Sequence, residues 1–142
     1  MNFSDKKRNF NKLYNQLKEK YYAVYGKYIN EAICLLDTLG VNEFAWNYKN
    51  VFFAIKLLEE KKIPINGGDV LYYANDDRIE YTYNFWGIDL ESKKTSYEQT
   101  AKFITDFINK MKNKEKYLFV LVFDYNKYLG LHSDDEDILY IH

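Results

Sequence analysis

Residues 67–87 read GGDVLYYANDDRIEYTYNFWG. Asp69 to Ala74 is a β-rich run, and Asn75-Asp76-Asp77 has turn chemistry. Beyond the turn Ile79, Tyr81, Tyr83 and Phe85 alternate with Glu80, Thr82, Asn84 and Trp86. Period two is the pattern of a half-buried strand, so the stretch predicts an antiparallel hairpin. The alternation assigns Ile79, Tyr81, Tyr83 and Phe85 to the buried face. Trp86 then falls on the polar side with Glu80, unless a bulge intervenes. Gly67 and Gly68 open the first strand, where glycine permits positive φ or close backbone approach. A phosphate-cradling loop needs a strand before the glycines and a helix after, the reverse of this order. Asp69 is expected to bond local backbone amides.

Outward from the hairpin, the period changes. Upstream, Phe10, Leu13, Tyr14, Leu17, Tyr21 and Val24 trace one helical face, with Ser4 as N-cap and Gly26 closing it. Ile29, Ala32, Ile33 and Leu36 suggest a second helix ending at Gly40. Val51, Ala54, Ile55 and Leu58 mark a third, which ends near Lys61 and Lys62 because Pro64 forbids continuation. Downstream, Ser96-Tyr97-Glu98-Gln99 fits a capping box, and Tyr97, Ala101, Ile104, Ile108 and Met111 continue at helical spacing. Tyr117 to Phe123 is continuously apolar and suits a strand buried on both faces, central in a sheet. Ile138 to Ile141 could add a short edge strand. The expected order is ααα-ββ-α-β, an α+β fold with a small antiparallel sheet, as a single domain over residues 1–142.

Composition removes several function classes. The chain has 142 residues, 47% hydrophobic and 19% aromatic, with a net charge of −1. Cys34 is the single cysteine, so neither a disulfide framework nor a cysteine zinc site forms within one chain. Its neighbours Ile33, Leu35 and Leu36 imply a silent, buried thiol. No run of roughly 18 apolar residues exists, so no membrane span is expected. The charged N-terminus is unlike a signal peptide, and the expected location is the cytoplasm. Lys outnumbers Arg 18 to 2, and this with the balanced charge argues against nucleic acid as a partner. His132 and the acidic run from Ser133 to Asp137 lack the glycine and closing Glu of a calcium loop. No catalytic set, cofactor motif or metal site emerges.

Charge is nonetheless segmented. Residues 1–30 carry +5, residues 93–116 carry +4, and residues 63–92 carry −5. An acidic hairpin with an indole on its polar side is a candidate protein-binding surface, made of Asp69, Glu80, Trp86, Asp89 and Glu91. Trp86 would anchor the contact while the acids set approach and register; the equal alternative is that Trp86 lies past the strand end and folds under a loop. Gly67, Gly68 and Pro64 read as structural. An alternative reading is a small enzyme using carboxylates of this segment, and another is a homo-oligomeric interaction module.

The segment from Gly40 to Asp89 resembles the immunity protein 40 family of bacterial polymorphic toxin systems. The residues that carry the likeness are Gly40, Trp46, Ile63, Pro64, Ile65, Gly67, Gly68, Asp69, Val70, Trp86 and Asp89. The later helix and the YLFVLVF strand agree in order, and the first 30 residues match only as a helix. The chain departs from the family pattern at Asn66, where Leu is usual. It departs again at Asn84-Phe85-Trp86-Gly87, where an Asn-Trp-Tyr order is usual. The resemblance implies a non-enzymatic protein that binds and neutralises one cognate toxin.

Overall fold

The fold was obtained as a computed structural model, which describes residues 3–74 and 78–129, without the side chains of residues 3–9, 90 and 93. The Asn75-Asp76-Asp77 turn, the acidic run with His132 and the 138–141 strand lie outside the described residues. The elements are α1 (Phe3–Tyr25), β1 (Ile33–Cys34), α2 (Leu36–Leu39), β2 (Phe44–Asn47), α3 (Val51–Glu60), β3 (Gly67–Tyr73), β4 (Ile79–Gly87), α4 (Ser96–Lys110), β5 (Tyr117–Val122) and α5 (Tyr125–Leu129). Three short 3-10 segments join them, at Gly26–Glu31, Leu90–Thr95 and Lys114–Lys116. The strands form one antiparallel sheet in the order β1-β2-β5-β3-β4. The fold is mixed helix and strand, as expected.

β5 is the central strand, flanked by β2 and β3, and Leu118 to Leu121 are all buried. Its continuous apolar run follows from this place, because a strand covered on both faces has no side chain left for water. α3 buries the four residues that its spacing selects, Val51, Ala54, Ile55 and Leu58. It ends in a Schellman turn: Ile63 N–H donates to the Leu58 carbonyl at 2.9 Å and Lys62 N–H to the Glu59 carbonyl at 3.0 Å. Lys62 takes the left-handed conformation there, with φ 59°.

The expected order ααα-ββ-α-β needs correction between α1 and α3, and again after β5, where α5 was not expected. Residues 29–39 do not form one helix. A 3-10 segment precedes β1, whose Ile33 and Cys34 pair with Ala45 and Phe44 of β2. Only Leu36–Leu39 is α-helical, and it ends at Gly40. Apolar residues at 29, 32, 33 and 36 satisfy helical spacing, but a two-residue strand has too little length to show its own period. β2 was hidden for a related reason: Phe44, Ala45 and Trp46 are all buried, so no alternation marks them. α1 already includes Ser4, so that residue is not its N-cap, while Gly26 follows Tyr25 as expected.

The expected capping box at Ser96 is absent, and the N-cap residue makes no side-chain cap hydrogen bond. Thr95, not Ser96, is the N-cap of α4. Gln99 Nε2 donates to Thr95 Oγ1 at 2.7 Å. The Ser96 hydroxyl is buried and accepts the Ile65 N–H at 3.1 Å, tying the segment after Pro64 to α4. The buried face of α4 is therefore Ser96, Thr100, Ile104 and Phe107.

The core has two parts, one on each face of the sheet. The larger joins Leu17, Tyr21 and Tyr25 of α1, the α3 stripe, Ile104 and Phe107 to Phe44, Trp46, Val70, Trp86, Phe119 and Leu121. The smaller lies on the opposite face, where Ala45, Leu71, Ile79, Leu118 and Val120 meet Leu35, with Leu39 and Val41 beside them. Among the described residues its cover is the 35–41 segment.

A candidate protein-binding face on the edge hairpin

β4 is an edge strand, and its two faces have unlike fates. Trp86 pairs with Gly68, and Phe85 pairs with Asp69. The Trp86 ring turns toward the helices, where it is 8% exposed and stacks on Phe103 with centroids 4.9 Å apart. Its Nε1 donates to Thr100 Oγ1 at 3.1 Å. Gly68 makes the room, since a Cβ there would collide with the indole and with the Val120 carbonyl. The close-approach reading of this glycine is thus correct. Gly67 has φ 150°, and a Cβ there would meet the Trp86 carbonyl.

The expectation that Trp86 lies on the exposed face is therefore corrected. The parity is right, since Glu80 pairs with Tyr72 and Trp86 with Gly68 on alternate positions of β3. The assignment of faces fails at Trp86 and at the three rings, while Glu80 and Asn84 are exposed as expected. Trp86 belongs to the core, and the odd-numbered rings face outward: Tyr81 is 48% exposed, Phe85 71% and Tyr83 87%. Only Ile79 of that set is buried. The helical layer covers Trp86, whereas the smaller core reaches β4 at Ile79 and leaves Tyr81 and Phe85 exposed.

The register slips between Val70 and Leu71, which pair with Asn84 and Tyr81, so Thr82 and Tyr83 are extra residues on β4. Thr82 Oγ1 fills the gap by donating to the Val70 carbonyl at 2.7 Å and accepting the Asn84 N–H at 3.1 Å. Tyr83 adopts φ 64°, a left-handed conformation that costs a bulky residue of the order of 1–2 kcal/mol. The bulge thus displays a ring to solvent from a strained position.

Two carboxylates lie beside these rings. Asp69 pairs with Phe85 on one side and Val120 on the other. Burial raises its carboxyl above the ordinary range, and among the described residues it bonds no local backbone amide, contrary to expectation. Glu43, just before β2, was not singled out from the sequence. Its carboxyl is pushed up to about 7, first by burial and then by the neighbouring charge of Asp69. The signal was present in Glu43-Phe44-Ala45-Trp46, where Glu43 and Ala45 share a parity, but it requires β2 to be recognised. Tyr81 stands close enough to both acids for their charges to raise its hydroxyl further, after burial.

The other candidates do not converge on this spot. Glu80 is exposed and paired with Arg78, Nε to Oε1 at 3.5 Å. Asp89 is exposed past the end of β4, with its carbonyl accepting the Ser92 N–H at 2.9 Å, and Glu91 is exposed in the next 3-10 segment. Glu80 and Asp89 thus flank most of β4, about 3.4 Å per residue apart in an extended strand. The acidic segment does not gather its carboxylates into one constellation. Cys34 is half-buried on β1 rather than on a helix, and burial still pushes its thiol up. Pro64 sits between buried Ile63 and Ile65, a structural place.

The family model for immunity protein 40 matches residues 35–123. The chain belongs to the immunity protein 40 family. The match runs from the cover segment before α2 through β5 and takes in Trp46, the Gly67-Gly68-Asp69-Val70 strand start and Trp86. In this immunity protein the two glycines and Trp86 are one packing unit. No curated protein and no solved structure matches significantly. Among the described residues no helix is long and apolar enough to cross a membrane.

Proposed function

We propose that this chain, as a single domain over residues 1–142, neutralises one cognate bacterial toxin by stoichiometric, non-covalent binding in the cytoplasm. Membership of the immunity protein 40 family carries the reading. The toxin is a protein of a polymorphic toxin system, and no catalytic step by this chain is needed. A binder requires a complementary surface with buried-ring anchors and charges that favour the right partner. The β3–β4 hairpin supplies both, through Tyr81, Tyr83 and Phe85 with Asp69 and Glu80, and Asp89 and Glu91 extend its negative field. Trp86 serves from inside, by holding β4 against α4.

The test is to identify a neighbouring gene for a large secreted protein and to co-express the C-terminal domain it encodes with this chain. Growth is expected to recover when this chain is present and to fail without it. Recovery at sub-stoichiometric amounts of this chain would instead favour an enzyme, and failure at any amount would refute the reading.

A further inference from the structure

The second face of the sheet, beside β4, carries the exposed rings of Tyr81 and Phe85 with the Asp69 carboxylate, and Glu43 lies near enough for the Asp69 charge to act on it. Tyr81 and Phe85 pair with Leu71 and Asp69 at alternate positions of β3, so their side chains share a face with Asp69. Val120, between Asp69 and β2, also belongs to this face. We propose that this face receives a basic segment of the toxin, with a lysine or arginine side chain seated against Phe85 and Tyr81 and its charge directed to Asp69 and Glu43. This rests on the reading of the chain as a toxin-binding immunity protein.

Three observations select a basic partner. Exposed rings on an edge strand offer apolar contact and a π-face to a cation. The acids behind them have no cationic partner among the described residues. Every influence found on Asp69 and Glu43 opposes their ionisation. The groups that face Glu43 from the neighbouring elements are Asp69 of β3, Tyr81 of β4, Tyr21 of α1 and Tyr125 of α5, all neutral or acidic. A half-buried carboxylate without a counter-charge is unfavourable, and an incoming cation supplies one that the described residues do not. The surrounding segment, residues 63–92, carries −5 and attracts such a partner from a distance.

Proton linkage follows. With its carboxyl raised to about 7, Glu43 is partly protonated near neutral pH in the free chain, and a cation beside it favours the ionised form. Complex formation therefore releases a proton, and affinity rises from pH 6 to pH 8.

The probe is a catalytically inactive form of the adjacent gene's C-terminal toxin domain, titrated calorimetrically at pH 6 and pH 8 in buffers of different ionisation enthalpy. Wild-type chain is expected to bind about tenfold tighter at pH 8, with net proton release near pH 7. Phe85→Ala, at unchanged melting temperature, and Asp69→Asn are each expected to weaken binding about tenfold or more. Glu43→Gln is expected to abolish the proton release. Growth rescue with pH-independent affinity, insensitive to Phe85→Ala and Asp69→Asn, would overturn this proposal and leave the immunity reading standing. Absence of both rescue and binding by wild type would overturn both. Self-association of the isolated chain that disappears in Phe85→Ala would show that a second copy occupies the face, and would overturn the proposal. The wild-type proton count decides the matter even if a variant does not fold.

Discussion

Phe85 and Trp86 are adjacent residues on one strand, yet one ring is in solvent and the other is in the core. The contrast teaches where cover comes from. Trp86 faces α4 and a glycine that leaves it space, while Phe85 faces outward past the reach of the 35–41 segment. The odd-numbered side of β4 is the more hydrophobic one, yet its rings Tyr81, Tyr83 and Phe85 are the exposed ones. The layer above each face decides burial, and the uncovered side becomes the surface offered to a partner.

The strongest challenge to this contrast is Gly68→Ala. The added Cβ meets both the indole and a backbone carbonyl, and a backbone neighbour does not yield cheaply. Loss of more than about 4 kcal/mol in denaturant unfolding is expected, with β4 detached from the helical layer. Near-wild-type stability would mean that Trp86 does not pack over Gly68. Trp86→Ala comes next, with an expected loss of about 3–5 kcal/mol. Trp86→Phe keeps the stacking but loses the bond to Thr100, for about 1 kcal/mol.

Glu43→Gln is a smaller change with a distinctive pH signature. In the folded chain the Glu43 carboxyl lies at about 7, against an ordinary value of 4.5. The folded state thus binds its proton more tightly than the unfolded state. The stabilising contribution is complete below about pH 4.5 and is lost as pH rises to about 7. The variant removes this slope and is expected to be more stable than wild type at pH 8, by the order of 1–3 kcal/mol. Thermal melts across pH 4–8 read it, and parallel curves for the two proteins would show that Glu43 is not desolvated.

The smallest effects are expected on the open side. Phe85→Ala should shift stability by no more than about 0.5 kcal/mol, because the ring is already in water. Tyr83→Gly should stabilise by up to about 1 kcal/mol, since glycine adopts the left-handed conformation without strain. A large loss in either would mean that this side of β4 is covered, and would erase the difference between the two faces.

Much of the architecture was legible residue by residue. The stripe of α3, the stop at Pro64, the hairpin and the central place of 117–122 each have a local signature. These features depend on backbone chemistry and on periods long enough to register several turns or pleats. Family membership was legible for the same reason, because the Gly67-Gly68-Asp69-Val70 start and Trp86 occur together in order.

Other features exist only when distant segments meet. β1 and β2 are too short, and β2 too completely buried, to show alternation. Their pairing appears once Ile33 and Ala45 are brought together across Gly40. The exposed or buried fate of alternate residues on β4 depends on α4 and the 35–41 segment, which no window of the hairpin contains. Glu43 becomes a perturbed carboxylate because folding places Asp69 beside it, 26 positions along the chain, and excludes water from both. Period reports that a strand has two faces. Which face is dry is a property of the layers that fold against it, and the same burial that stabilises Trp86 leaves Phe85, Tyr83 and Tyr81 as the outward side.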